Sequence, residues 1–238
     1  MSTGLTTIGF DADDTLWHNE HFFRLTEARF AELLADWCEK DNLVERLLDA
    51  ERRNLALYGY GIKGFILSMI ETAVEVSDGR APSSVLGAIL EAGREMLSHP
   101  VDALPHVNET LEALSGDFRL VLITKGDFFD QERKIAESGL AERFDAIEIV
   151  HEKTTGTYET LFARHGDGAA RAAMVGNSLK SDILPALQAG SHAVHVPYEI
   201  TWELERAEEP DGHERFHRLP DLSGLPALLA RLRDGATS

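Results

Sequence analysis

Asp11 and Asp13 stand two residues apart in the run Phe10-Asp-Ala-Asp-Asp-Thr15. A carboxylate can attack phosphorus as a nucleophile, and a second one at this spacing can reach the same site if a cation offsets their repulsion. Taken alone, such a run is equally a solvated acidic turn. Its neighbours in the sequence argue otherwise. Thr124-Lys125-Gly126, Lys153 and Gly176-Asn-Ser-Leu-Lys-Ser-Asp182 each come just after a short apolar, β-rich run, as the acidic cluster does.

The elements that must position these residues follow from periodicity. Leu5–Phe10 reads as a buried strand, and further strands are predicted over Phe118–Ile123, Phe144–Val150 and Ala172–Gly176, with a last one at Ala193–Val196. Helical segments separate them at Val107–Leu114, Asp130–Ser138, Tyr158–His165 and Ile183–Ala189, and Leu225–Leu232 closes the chain. Alternating strands and helices build a parallel sheet with right-handed crossovers, and such sheets bind ligands at the carboxyl ends of their strands. All the polar residues named above fall at those ends.

Between the first strand and the rest, the pattern is helical throughout. Phe22, Phe23, Leu25, Phe30, Leu33, Leu34 and Trp37 recur at helical spacing, Leu43–Leu57 repeats it, and helices are predicted over Phe65–Val76 and Ser83–Leu97. Gly59, Gly61 and Gly64 break the pattern and predict a mobile loop over Tyr58–Phe65. The expected fold is a doubly wound parallel α/β core, residues 1–16 and 101–238, with an all-helical cap inserted at 17–100 as a lid over the strand ends.

Composition narrows the partner. The 238 residues carry a formal net charge of −18, from 41 acidic against 23 basic side chains, which disfavours a nucleic-acid groove or an anionic membrane surface. A small molecule is the expected partner, and if it is a phosphate ester so acidic a chain must hold a divalent cation to neutralise it. The single cysteine, Cys38, excludes an internal disulfide and a multi-cysteine zinc site and fits a reducing compartment. Met1–Phe10 has no basic residue and no apolar run of signal-peptide length, and no stretch reaches the roughly 20 apolar residues of a membrane helix, so a cytoplasmic protein is expected.

With Asp11-x-Asp13-x-Thr15, Thr124, Lys153 and Gly176–Asp182 in this order, the chain resembles the haloacid dehalogenase superfamily of hydrolases, and the helical insert resembles that superfamily's cap. The resemblance implies Asp11 as a nucleophile that becomes an aspartyl-phosphate and Asp13 as the general acid and then base. It implies Thr124 and Lys153 as holders of the phosphoryl oxygens, and Mg²⁺ on Asp11, the Asp13 carbonyl and the Asn177–Asp182 segment. Thr15, Lys125 and Gly126 are the adjoining candidates for substrate binding, and the substrate class implied is a small phosphorylated metabolite.

Two details bear on the chemistry. Many members carry aspartate where this chain has Asn177, which leaves Asp182 as the carboxylate of that motif and removes a negative charge. An acid two residues after the nucleophile goes with phosphatases and phosphomutases, whereas dehalogenases lack it, so Asp13 points to phosphate esters. The alternatives are a phosphomutase or phosphotransferase, a 2-haloacid dehalogenase, and a receiver-like module that accepts phosphate on an aspartate. Lys63, in the glycine-broken stretch with Tyr58 and Tyr60, is the candidate for reading the substrate. Trp17 and His18, where the chain leaves the core, are candidates for pocket lining or hinge packing.

Overall fold

The computed structural model describes residues 4–234. The strands are β1 (Thr7–Phe10), β2 (Arg119–Lys125), β3 (Ala146–Val150), β4 (Ala172–Gly176), β5 (His192–His195) and β6 (Phe216–Arg218). They form one six-stranded sheet in the order β3-β2-β1-β4-β5-β6, with every pair parallel. This is the doubly wound order, running outward from β1 to β3 on one side and from β4 to β6 on the other, with the switch between β1 and its neighbour β4. It differs from the 2-1-3-4-5 order of receiver domains, so the receiver-like alternative falls on topology.

The helices are α1 (Glu20–Leu33), α2 (Lys40–Tyr58), α3 (Ile62–Val76), α4 (Ser83–Leu97), α5 (Val107–Leu114), α6 (Phe128–Ser138), α7 (Thr155–His165), α8 (Leu184–Gln188) and α9 (Leu225–Arg233). By contact the chain divides into two compact units, one holding residues 4–18, Val101–Lys125 and 134–234, the other Asn19–Pro100 and Gly126–Arg133. Trp17 and His18 therefore belong with the sheet, and the start of α6 belongs with the helices of the second unit.

In the first unit both faces of the sheet are covered, so its central strands are apolar throughout instead of alternating. Ile8, Phe10, Leu120, Leu122 and Val175 pack with Leu111 and Leu114 of α5 and Leu225, Leu228 and Leu229 of α9. Val121, Ile123 and Met174 pack on the other side with Tyr158 and Phe162 of α7 and Ala186 and Leu187 of α8. The opposite allegiance of Leu122 and Val121 is the strand period of two at work. β6 is a sixth strand where the sequence predicts the sheet to end at Ala193–Val196; three residues are too short for a period-two signal, and pairing with β5 creates it.

The second unit has its own core of Phe30, Leu34, Leu43, Leu47, Phe65, Ile66, Met69, Ala73 and Ile89. α2 buries Leu43, Leu47, Ala50 and Asn54, a stripe at helical spacing. The loop predicted over Tyr58–Phe65 is shorter than expected, because α2 runs to Tyr58 and α3 begins at Ile62. Gly59 (φ 73°) and Gly61 (φ 98°) make the turn, positive φ values that disfavour any side chain. Gly64 lies inside α3, where a Cβ would stand 2.7 Å from the Gly59 carbonyl oxygen.

Candidate active site

The carboxyl ends of β1, β2 and β4 line up because Phe10 is in register with Leu122 on one side and Val175 on the other. Asp11 extends this ladder by one bond, its N–H donating to the Val175 carbonyl at 2.9 Å. Its carboxylate is thereby fixed at the strand end and buried. Thr15, four residues on in the turn that follows β1, donates from Oγ1 to Asp11 Oδ2 at 3.1 Å and to Asn177 Oδ1 at 3.3 Å. Lys153, beyond β3, donates from Nζ to Asp11 Oδ1 and, at 2.7 Å, to Asp182 Oδ1.

One lysine shared by two buried carboxylates leaves an excess negative charge. Burial, and next the charge of Asp182, push the Asp11 carboxyl up to about 7, with Lys153 pulling the other way. For Lys153 burial favours the neutral amine, but Asp11 and Asp182 outweigh it and hold the ammonium above its usual range. An excess of this kind suits a divalent cation. Asp11 and Asn177, which meet on the Thr15 hydroxyl, are oxygen donors of the kind that Mg²⁺ prefers. Among the described residues no group of three His, Cys, Asp or Glu side chains is arranged to hold a metal, so a metal here needs amide and backbone oxygens too.

Asp182 is held from both sides. Its Oδ2 accepts from the Ser178 N–H at 2.9 Å, while Oδ1 takes Lys153. Leu179–Ile183 is a π-helical turn capped by the Ser178 hydroxyl, which accepts from the Ser181 N–H at 3.0 Å. Gly176 makes room for this turn, since a Cβ there would stand 2.3 Å from Asp182 Oδ2. Tyr158 steadies the turn from beneath, donating to the Ser181 carbonyl at 2.9 Å.

Asp13 faces a different partner. Lys134 Nζ lies 2.6 Å and 2.7 Å from its two carboxylate oxygens, and the indole N–H of the fully buried Trp17 donates to Oδ1 at 2.8 Å. Trp17 thus positions a candidate acid and does not merely pack a hinge. His18 Nδ1 lies 2.6 Å from the Tyr198 hydroxyl, a tie between the chain's exit point and the segment after β5.

Thr124 is buried at the penultimate position of β2, and Lys125 ends that strand. Lys125 is neither solvated nor directed at open space. Its Nζ donates to Ser181 Oγ at 2.6 Å and pairs with Glu205 at 2.7 Å and Glu152 at 3.4 Å. Burial raises the Glu205 carboxyl, but Lys125 and the hydroxyls of Ser178 and Ser181 outweigh it and hold it below the usual range. Gly126 and Lys63 fall in the helical unit, where Lys63, in the first turn of α3, pairs with Asp127 at 2.8 Å and lies over the Phe129 ring.

Periodicity does not mark Lys134 or Glu205. A signal for Lys134 exists all the same: Asp130, Gln131, Lys134 and Ile135 form the buried stripe of α6, and polar residues on a buried helical stripe need partners. Glu205 has no such signal, because it comes from an irregular stretch.

The family model of haloacid dehalogenase-like hydrolases matches residues 5–190. A haloacid dehalogenase-like family hydrolase from Xanthomonas campestris is 41% identical, superposes with a TM-score of 0.86, and is matched over 98% of this chain and 93% of that one. Glyceraldehyde 3-phosphate phosphatase from Methanothermobacter thermautotrophicus is 35% identical over 131 residues, 52% of this chain and 58% of the relative, so the match spans little more than half that relative's length. A 2-haloacid dehalogenase from Pseudomonas syringae pv. Tomato DC3000, 24% identical over 95% of this chain and 99% of that one, shares the fold with a TM-score of 0.62. Among the described residues no helix is long and apolar enough to cross a membrane. A match covering most of the sheet unit, and a near-complete superposition on a relative sharing two residues in five, establish that this chain belongs to the haloacid dehalogenase-like hydrolase family.

Proposed function

We propose that the protein hydrolyses a small phosphomonoester through a phosphorylated Asp11, with Mg²⁺ as cofactor. The observation that carries this is the setting of Asp11: a buried carboxylate at a strand end, held by Lys153 and Thr15, with a second acid two residues on. Lys153 and Thr15 orient the Asp11 carboxylate so that one oxygen attacks phosphorus while the ester oxygen departs with a proton from Asp13. Asp13, now ionised, takes a proton from water, and that water attacks the acyl phosphate and releases inorganic phosphate with Asp11 restored.

Thr124 and Lys153 supply donors where charge accumulates on the phosphoryl oxygens. Mg²⁺ when bound offsets the charge of the phosphoryl group and of the carboxylates around it. Asp11, the Asp13 carbonyl and Asn177 would hold it. Asp182 would act beside them, through the Lys153 that it shares with Asp11. Asp13 favours phosphate esters over haloacids, because a dehalogenase needs no acid for a halide leaving group.

The test is phosphate release from glyceraldehyde 3-phosphate, phosphoglycolate, hexose phosphates, nucleotides and p-nitrophenyl phosphate, with and without Mg²⁺. The three-carbon sugar phosphate leads the panel because a relative is named for it. Release that needs Mg²⁺ and falls by roughly 10³-fold or more in Asp11→Asn supports the reading. Product analysis separates hydrolysis from transfer to a second hydroxyl. Halide release from 2-chloropropionate without release from any ester would replace it.

A further inference from the structure

Glu205 fastens the segment that bears Asn177 and Asp182 from outside. It ends a 3-10 turn, Glu203–Glu205, in the stretch between β5 and β6. Its Oε2 accepts from Ser178 Oγ at 2.6 Å and from Ser181 Oγ, and its Oε1 takes Lys125 Nζ at 2.7 Å. Lys180 Nζ adds a bond to the Leu204 carbonyl at 2.6 Å. The Lys125 and Glu205 side chains are each 13% exposed, so the pair is largely withdrawn from water.

A withdrawn ion pair adds little to stability compared with apolar packing, but it forms in only one arrangement of the elements that carry it. Here those elements are the end of β2, the π-helical turn after β4 and the 203–205 turn. The π-helical turn has need of such support. π-helical hydrogen bonding is rare, comes mostly as single turns and is frequent at functional sites, and this one places Asp182 against Lys153.

We propose that Glu205 is a positioning residue for phosphoryl transfer, which locks Lys125 to Ser178 and Ser181 and thereby sets Asn177 and Asp182 in their working places. The inference rests on the proposed phosphatase reading, and Glu205 itself touches neither Asp11 nor the phosphoryl group's holders Thr124 and Lys153 among the contacts the structure gives. Glu205→Gln keeps an oxygen for the serines and loses the charge on Lys125; Glu205→Ala loses both.

Hydrogen exchange of the metal-free chain is the first measurement. In Glu205→Ala, amides of 177–183 should exchange at least tenfold faster, with those of β1 and α5 unchanged, and Glu205→Gln should fall between it and the unaltered chain. Steady-state kinetics with p-nitrophenyl phosphate is the second. The alanine variant should lose about tenfold or more in kcat and need several-fold more Mg²⁺ for half-activity, with KM for the ester moving less than threefold. Glu203→Ala, in the same turn, serves as control and should match the unaltered chain.

Unchanged exchange over 177–183 in a folded Glu205→Ala overturns the proposal. So does faster exchange with unchanged kcat and Mg²⁺ requirement, since the clamp would then hold structure alone. If the unaltered chain releases no phosphate from any ester, the phosphatase reading fails on its own evidence, and the proposal falls with it even if exchange shows the clamp.

Discussion

At the scale of single residues, the site is a problem in charge. Asp11 and Asp182 share Lys153 in a setting with almost no exposure, and removing one partner of a buried pair typically costs about 3–5 kcal/mol. Lys153→Met should therefore lower the melting temperature by many degrees without metal and regain part of it in millimolar Mg²⁺, with a larger gain than the unaltered chain shows. Equal gains in both would mean that no excess charge is left at the site for a cation to offset. Lys134 makes a different prediction. It holds both oxygens of Asp13, the acid proposed for the leaving alkoxide. Lys134→Ala should slow alkyl phosphates by tenfold or more while p-nitrophenyl phosphate, whose leaving group needs no proton, slows much less. An equal fall for both esters would show that Lys134 serves the site as a whole and not the acid. Asp11, Asp13 and Lys153 were legible in the sequence because a strand end announces them; the stripe of α6 marks Lys134 as needing a partner but not which one, because that partner is 121 residues away.

At the scale of elements, the periodic segments were legible and the irregular ones were not. α4 and α5 occupy the predicted Ser83–Leu97 and Val107–Leu114 because their apolar stripes are clean. α3 starts earlier than predicted, since glycine in a sequence marks freedom and not its use. Gly59 and Gly61 use theirs in a turn at positive φ, whereas Gly64 serves close approach inside the helix. This reverses a common expectation. Alanine for glycine in a helix interior ordinarily stabilises by about 1 kcal/mol, but Gly64→Ala puts a methyl 2.7 Å from the Gly59 carbonyl oxygen, backbone that cannot swing away. The variant should melt lower than the unaltered chain in thermal denaturation. A higher melting point would show that the α2–α3 turn relaxes freely. The irregular 203–205 turn escapes sequence reading altogether, since hydrogen bonds to β2 and to the segment after β4 place it.

At the scale of the molecule, strand direction and five of the six strands follow from alternating patterns, but β6 and the strand order do not, because which strand pairs with which is decided by packing over distances no local window contains. The far edge, β5 with β6, shows this and also carries a titration. His192 Nδ1 and His217 Nε2 lie 3.1 Å apart with their rings stacked, an arrangement that needs one nitrogen to donate and the other to accept. Burial, then the neighbouring His217 and Arg215, push His192 down from 6.5 to about 4, and burial lowers His217 as well. In the unfolded chain both protonate near their ordinary pKa, so between about pH 6.5 and 4 the unfolded state binds more protons than the folded one. Stability from this pair is then complete above pH 6.5 and is lost as the pH falls toward 4. Both rings are half-exposed, so solvent screening reduces the effect to about 1–2 kcal/mol. Denaturant unfolding of the unaltered chain and of the double variant His192→Gln, His217→Gln at pH 7.5 and 4.5 isolates it from the many carboxylates that titrate in the same range. The double variant should lose less stability between the two pH values, by that amount. Equal losses would mean that the two histidines take up protons as readily in the folded sheet as in the open chain.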